Sequence, residues 1–330
     1  MNKKNIDRRS ENFERNQMLE NLLTEINKDL WVAEEELLKT EDPNFPVVFI
    51  VGPMRSGTTL MMQWLASSGL FSYPTNLLSR FYKAPIMGAK LQLLLTDERY
   101  NFRDELKDFA SEIDFSSDNG KTKGVLAPNE FWYFWRRFVS FKELDYLSTE
   151  QLLKESDTKT LVAEFAGMMD VFQKPMALKA MILNYNIDFL DQLFEKAIFI
   201  HMKRDPLTNI ASVLNARERQ LGSIEQWYSF KIPEYNELKN LNPYEQVAGQ
   251  IHYMNKAVKK GLAGVTEYKK ITVNYEEFCE NPRATYDILC KKLKENGYNT
   301  SETYKEQEAF TISREKVDNE NILNAFKIFC

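Results

Sequence analysis

Cysteine and histidine are scarce in this chain: Cys279, Cys290 and Cys330, with His201 and His252, are the whole complement among 330 residues. Three thiols without a CxxC pair and two isolated imidazoles make neither a disulfide framework nor a zinc site, and they point to a reducing, cytoplasmic setting. Long hydrophobic runs are missing too. No stretch approaches the ~20 apolar residues that cross a bilayer, so no membrane span is expected. The opening residues, MNKKNIDRRSENFERNQMLE, carry basic side chains with no apolar core behind them, which is not a signal-peptide pattern. An excess of positive charge is also lacking: a net charge of -5 argues against a nucleic-acid partner and leaves anion binding to local positive sites. There is no internal repeat and no low-complexity tract.

What is present is a large apolar fraction, 43% of the residues with 13% aromatic, enough to bury a substantial core. Residues 11–40 are charge-rich with apolar side chains at helical spacing (Leu19, Leu22, Leu23, Ile26, Leu30, Val32), which reads as one long or two short amphipathic helices. We therefore expect residues 1–44 to form a helical appendage outside the sheet and residues 45–330 to form the main domain. The breaker EDPNFP leads into a strand at Val47 to Val51, and further β-type runs occur at Met176 to Lys179, Ala197 to His201 and Lys270 to Val273. Strands that alternate with helices imply an α/β fold, with a central parallel sheet flanked by helices and ligands at the strand C-terminal ends.

Directly after the first strand stands GPMRSGTTL, Gly52 to Leu60. Gly52 and Gly57 keep the spacing of a phosphate-cradling loop that opens a helix, but Thr58 and Thr59 occupy the positions where an ATPase or kinase needs Lys followed by Ser or Thr. Loop amides and the helix N-terminus still suit an anion, and Arg55 adds a planar, permanently charged fork. The expected ligand carries a smaller anion than Mg-ATP. A second segment, AIFIHMKRDPLTNIASVLNARE at Ala197 to Glu218, runs from strand to helix. Asp205 suits the cap, Pro206 the first turn, and Ser212 lies two turns inside, where it and Arg204 could meet one phosphate.

These two segments and KKITVNYEEFCENPRATYDILCKKL, Lys269 to Leu293, resemble in order the donor-binding motifs of sulfotransferases that use 3'-phosphoadenosine 5'-phosphosulfate. The likeness spans residues 45–295, and the Arg55 form is similar to the Arg-type, bacterial-like branch. The resemblance implies a P-loop-like three-layer fold and a sulfotransferase domain over residues 45–330. It also implies a sulfo transfer to a hydroxyl or amine acceptor that requires no metal. Nucleotide contacts follow at Arg55, Ser56, Gly57, Thr58, Thr59, Arg204, Ser212 and Tyr275, and the acceptor would be a small-molecule, carbohydrate or lipid-like compound. A further phosphate-binding Arg is implied at Ala216, with Arg217 beside it, and basic residues that close over the nucleotide could be Arg314 or Lys316.

The reaction so implied is an in-line displacement at sulfur, with loop amides, Arg55 and the two Thr hydroxyls facing the leaving oxygen. Lys179, in ALKAM, matches a second cation that contacts the sulfonate, although the Pro that usually follows is absent; a lysine at a strand end near solvent is the other reading. Many members carry Glu or Gln roughly 20 residues beyond the loop Arg, where a general base is needed, and this chain has Asn76 there. Glu130, in APNEFWYFWRRF, is the candidate in its place, or else an ordinary first-turn carboxylate. The aromatic run after it reads as a buried helix face or an acceptor wall, with Arg136 and Arg137 solvated. His201 reads as structural. Two other functions remain open on these residues: a small-molecule kinase using ATP, opposed by Thr58, and a non-catalytic nucleotide-binding module, left open by Asn76.

Overall fold

The computed structural model describes residues 16–39, 42–101, 103, 105–106, 122–300, 303–313, 317 and 319–329. Four parallel strands form one sheet: β1 (Val47–Val51), β2 (Met176–Lys179), β3 (Ala197–Lys203) and β4 (Lys270–Asn274), in the spatial order β2-β1-β3-β4. β1 therefore lies between β2 and β3, in register Val47 to Met176 on one side and Val47 to Ala197 on the other. The strand bounds expected from sequence are met, with β3 running on to Lys203 and β4 to Asn274.

The two faces of the sheet are both covered, which explains why VVFIV is apolar at every position rather than at alternate ones. The two-residue period of a strand divides it between two cores. Val47, Phe49 and Val51 enter one core with Leu178 and Phe199, beneath the helices Thr158–Phe172, Ile187–Leu193 and Pro243–Ala263. Val48 and Ile50 enter the other with Ile198, Ile200 and Met202, against the helices Thr58–Ser67 and Pro282–Glu295. Phe49 is the centre of the first core, with the rings of Phe194, Phe199, Phe165 and Trp135 at centroid distances of 5.4, 5.7, 6.2 and 6.5 Å. Burying one such ring contributes about 1.5–3 kcal/mol.

The N-terminal helix, Gln17–Glu35, is capped by the Asn16 side chain. It docks through polar as well as apolar groups. The buried Asn27 side chain bonds the Arg80 carbonyl and the Lys83 amide, each at 2.7 Å. The buried Glu34 carboxylate accepts from the amides of Ile86 and Met87, at the start of the helix Pro85–Thr96, where a negative group offsets the helix dipole. Tyr133 donates to Glu20 from the aromatic helix Trp132–Phe138.

Candidate functional site

The loop after β1 is held by its carbonyls. Four successive main-chain oxygens each accept a hydrogen bond: Gly52 from Asn184 (2.8 Å), Pro53 from the Ser56 hydroxyl (2.8 Å), Met54 from the buried Asn209 (2.9 Å) and Arg55 from Arg204 (2.9 Å). Because peptide groups are planar and trans, the amides of Met54, Arg55 and Ser56 point the opposite way, as in an anion-binding nest. Arg55 and Gly57 have left-handed φ values of 61° and 94°, and a side chain at Gly57 would run into the Tyr275 ring. No side chain caps the helix Thr58–Ser67 that follows, which leaves the amides of its first turn without a side-chain cap.

Two strand ends meet at this loop. Asp205 caps the helix Pro206–Leu221 by accepting from the Thr208 amide at 2.8 Å, with Pro206 in the first turn. That helix carries the buried Ser212 inward, and Arg55 Nε donates to its hydroxyl at 3.4 Å. Arg204, just past β3, donates to the carbonyls of Arg55 and Ser313 and lies 4.7 Å over the Tyr275 ring. The Tyr275 hydroxyl in turn accepts from the Ser313 amide at 3.1 Å. Burial raises the Tyr275 phenol above its ordinary range, so it stays neutral as a platform for the guanidinium.

The end of β2 supplies the other half. Lys179 is 5% exposed, not a solvated strand-end lysine, and its ammonium donates to Thr59 Oγ1 at 2.8 Å and to Glu130 Oε1 at 3.1 Å. The Trp132 indole donates to the second oxygen of Glu130, and the Trp135 indole to the Lys179 carbonyl at 3.1 Å. Glu130 does not cap a helix, since the helix starts at Trp132 behind Phe131 in a left-handed conformation. Trp132, Trp135, Met181 and Ile182 border a cleft above the Glu130–Lys179 pair. The aromatic run forms a buried helix face through Phe134, Trp135 and Phe138, and Trp132 and Trp135 also border the cleft.

Asn76 stands a short distance away as a structural clasp. Its amide nitrogen donates to the carbonyls of Thr122 and Gly124, its side-chain oxygen accepts from Asn129, and its main chain donates to the Ala127 carbonyl. It fixes the segment that delivers Glu130.

Other sequence candidates go elsewhere. Arg217 is fully buried and bonds the Ile224 carbonyl and Gln246, anchoring the following loop. Arg137 is not solvated: it makes a two-pronged pair with the buried Glu164 at 2.8 Å, bonds the Tyr82 carbonyl, and stacks near Phe138. A seven-residue helix packed on one face turns one of two consecutive arginines inward, which a run of like charge conceals. His201 bonds Asn255 at 3.3 Å, and burial depresses its imidazole to about 4. Arg314 and Lys316 lie outside the described residues. Asn184, Asn209, Asn76 and Trp132 are the contributors that the sequence did not announce. Among the described residues no helix is long and apolar enough to cross a membrane, and no group of three or more His, Cys, Asp or Glu is placed to hold a metal ion.

Comparison with known proteins bears on this arrangement. A family model described as the sulfotransferase family matches residues 46–298. No curated protein matches the chain. Among solved structures it is similar to the sulfotransferase domain from the curacin biosynthetic pathway, at 19% identity over 76% of this chain and 75% of that one, with a TM-score of 0.40. It is similar to the sulfotransferase domain from the Synechococcus PCC 7002 olefin synthase, at 19% identity over 80% and 78%, with a TM-score of 0.39. Sulfotransferase STF1 from Mycobacterium tuberculosis H37Rv matches at 12% identity over 93% and 76%, with a TM-score of 0.49. The family match takes in the loop after β1, the strand and helix that carry Arg204 and Ser212, and both Glu130 and Lys179, so the chain belongs to the sulfotransferase family.

Proposed function

We propose that this sulfotransferase takes its sulfo group from 3'-phosphoadenosine 5'-phosphosulfate and passes it to a hydroxyl or amine of a small-molecule acceptor, with Glu130 as general base. The observation that carries the proposal is Lys179, which touches the phosphate loop through Thr59 and the acceptor-side carboxylate through Glu130. One ammonium thus spans the gap across which a sulfo group would move.

The donor set fits such a nucleotide. The amides of residues 54–56 and the first turn from Thr58 suit the 5'-phosphosulfate, with Gly57 leaving room for the chain to turn past Tyr275. Arg204 and Ser212 suit the 3'-phosphate as a planar fork just past β3 and a hydroxyl on the helix that follows, both of which touch Arg55. When bound, the donor supplies a sulfo group whose bond to the 5'-phosphate oxygen breaks as the acceptor oxygen bonds to sulfur. Arg55 and Lys179 then stabilise charge on the leaving oxygen and the sulfonate, and Glu130 takes the acceptor proton. Trp132 holds the Glu130 carboxylate in place. Among the described residues Cys279 and Cys290 are free thiols, which supports a reducing, cytoplasmic setting.

Calorimetry with adenosine 3',5'-bisphosphate and with Mg-ATP, followed by transfer of radiolabelled sulfate, tests this reading. Tight bisphosphate binding with weak Mg-ATP binding and labelled product is expected. Preference for Mg-ATP would turn the assignment toward a kinase.

A further inference from the structure

We propose that Arg137 is a positioning residue for the transfer: with Tyr133 it fixes the rotation of the aromatic helix, and through Trp132 and Trp135 it sets where the Glu130 carboxylate and the end of β2 stand. The inference rests on Glu130 being the base. The helix Trp132–Phe138 has seven residues, no side-chain cap, and a start behind Phe131 in a left-handed conformation. A helix this short is marginal on its own, so its neighbours decide how it is turned. Trp132 and Trp135, three apart, share one face and reach the site, where their indoles donate to Glu130 and to the Lys179 carbonyl. Tyr133 and Arg137, four apart, share the nearly opposite face.

That second face is braced from outside. Arg137 pairs with both carboxylate oxygens of Glu164 at 2.8 Å and donates to the Tyr82 carbonyl at 2.7 Å. The Tyr82 ring stacks on Tyr133 at 5.3 Å, and the Tyr133 hydroxyl donates to Glu20 on the N-terminal helix. Arg137 also lies 5.5 Å from the ring of Trp31 on that helix. Asn27 and Glu34 of the same helix hold the chain on either side of Tyr82. Glu20, Asn27, Trp31 and Glu34 recur at helical spacing, so one stripe of the N-terminal helix supplies the outer support.

Stability alone does not explain these charges. Glu164 is fully buried, and burial pushes its carboxyl up to about 8 although Arg137 opposes the rise. A buried ion pair contributes little net stability over apolar side chains of the same volume, but two parallel bonds fix a direction that carbon contacts leave loose. The direction fixed here is that of the helix that holds Glu130.

The test uses the intact chain. Arg137→Met alone would leave a buried carboxylate unpaired, so it is combined with Glu164→Leu, which removes both charges and should melt close to the native chain. The indole N–H signals of the isotope-labelled protein are assigned with single tryptophan-to-phenylalanine variants. In the double variant the Trp132 and Trp135 signals should shift and exchange with solvent about tenfold faster or more, while Trp64, in the core on the other face of the sheet, stays as it was. With 3'-phosphoadenosine 5'-phosphosulfate and 2-naphthol as the probe acceptor, kcat should fall about tenfold to a hundredfold, and calorimetry should show unchanged binding of adenosine 3',5'-bisphosphate. Unmoved Trp132 and Trp135 signals, or a Trp64 signal that moves as much, overturn the proposal whether or not 2-naphthol turns over. If the double variant does not fold, Arg137→Lys, which keeps a charge against Glu164 without the fork, carries the same test. Glu130→Gln separates the two levels: a fast Glu130→Gln enzyme removes the base and this inference with it, whereas a slow one beside unmoved indoles removes this inference alone.

Discussion

Arg55 Nε donates to the Ser212 hydroxyl across 3.4 Å, and this contact joins the loop that follows β1 to the helix that follows β3. The two segments are far apart in sequence and adjacent in the sheet, because β1 and β3 pair along their whole common length. The same neighbourhood includes Arg204, which fastens the Arg55 carbonyl. The proposed nucleotide site is therefore a property of strand order, and its two arginines are separable by experiment.

Arg204→Ala should weaken adenosine 3',5'-bisphosphate by tenfold to a hundredfold, about 1.4–2.8 kcal/mol, through loss of a charge-assisted contact and of the bond that steadies the loop. Arg55→Ala should chiefly lower kcat. Calorimetry and steady-state kinetics on both variants check the division, and an Arg204→Ala protein with unchanged affinity would contradict its placement at the 3'-phosphate.

Glu130→Gln keeps the shape of the side chain and its indole partner but cannot take a proton. Transfer should fall by about 10²- to 10⁴-fold, the range of a positioned general base, while bisphosphate affinity is retained. A near-normal rate would move proton abstraction to another group.

Asn76→Ala removes side-chain bonds to Thr122, Gly124 and Asn129 at once. Since these bonds fix the segment leading to Glu130 and make no contact with the loop after β1, kcat should drop about tenfold or more with little change in bisphosphate affinity. An equal loss in both would mean that Asn76 supports the whole domain and not the acceptor side.

His201 gives a pH test of the fold. Burial, assisted by the like charges of Lys203 and Lys259, depresses its imidazole from 6.5 to about 4. Between those values the unfolded chain binds the proton that the folded one refuses, so stability rises with pH across that window and is lost as pH falls through it. From pH 7 to pH 5 this one group should remove about 2 kcal/mol. Thermal melts of the native chain and of His201→Gln over that range should show a shallower decline in the variant, and parallel curves would assign the acid sensitivity elsewhere.

Much of the local geometry around Arg55 and Arg204 was legible because its signals are local. An apolar pentapeptide running into Gly-x-x-x-x-Gly, and an Arg-Asp-Pro leading into a helix with Ser two turns on, state their geometry within a few residues. The contacts that brace the site on both sides were less legible for a physical reason. Asn184 on Gly52, Asn209 on Met54 and Asn76 on residues 122–129 are side-chain bonds across long separations, and asparagine has no periodic signature that tells a clasp from a turn residue. Arg137 was read as solvated because its sequence neighbours are charged or aromatic alike, whereas its environment is set by Glu164, which lies in another helix. Trp132 was visible only as one aromatic among several, and its bond to Glu130 depends on a left-handed turn at Phe131.

The main-chain oxygens of Gly52, Met54 and Arg55 are gripped by side chains from other parts of the chain, whereas the cleft beside Glu130 and Lys179 is bordered by Trp132, Trp135, Met181 and Ile182. On the proposed assignment, changes on the Glu130 side can be confined to these few border positions, leaving the clamped loop after β1 as a fixed chassis.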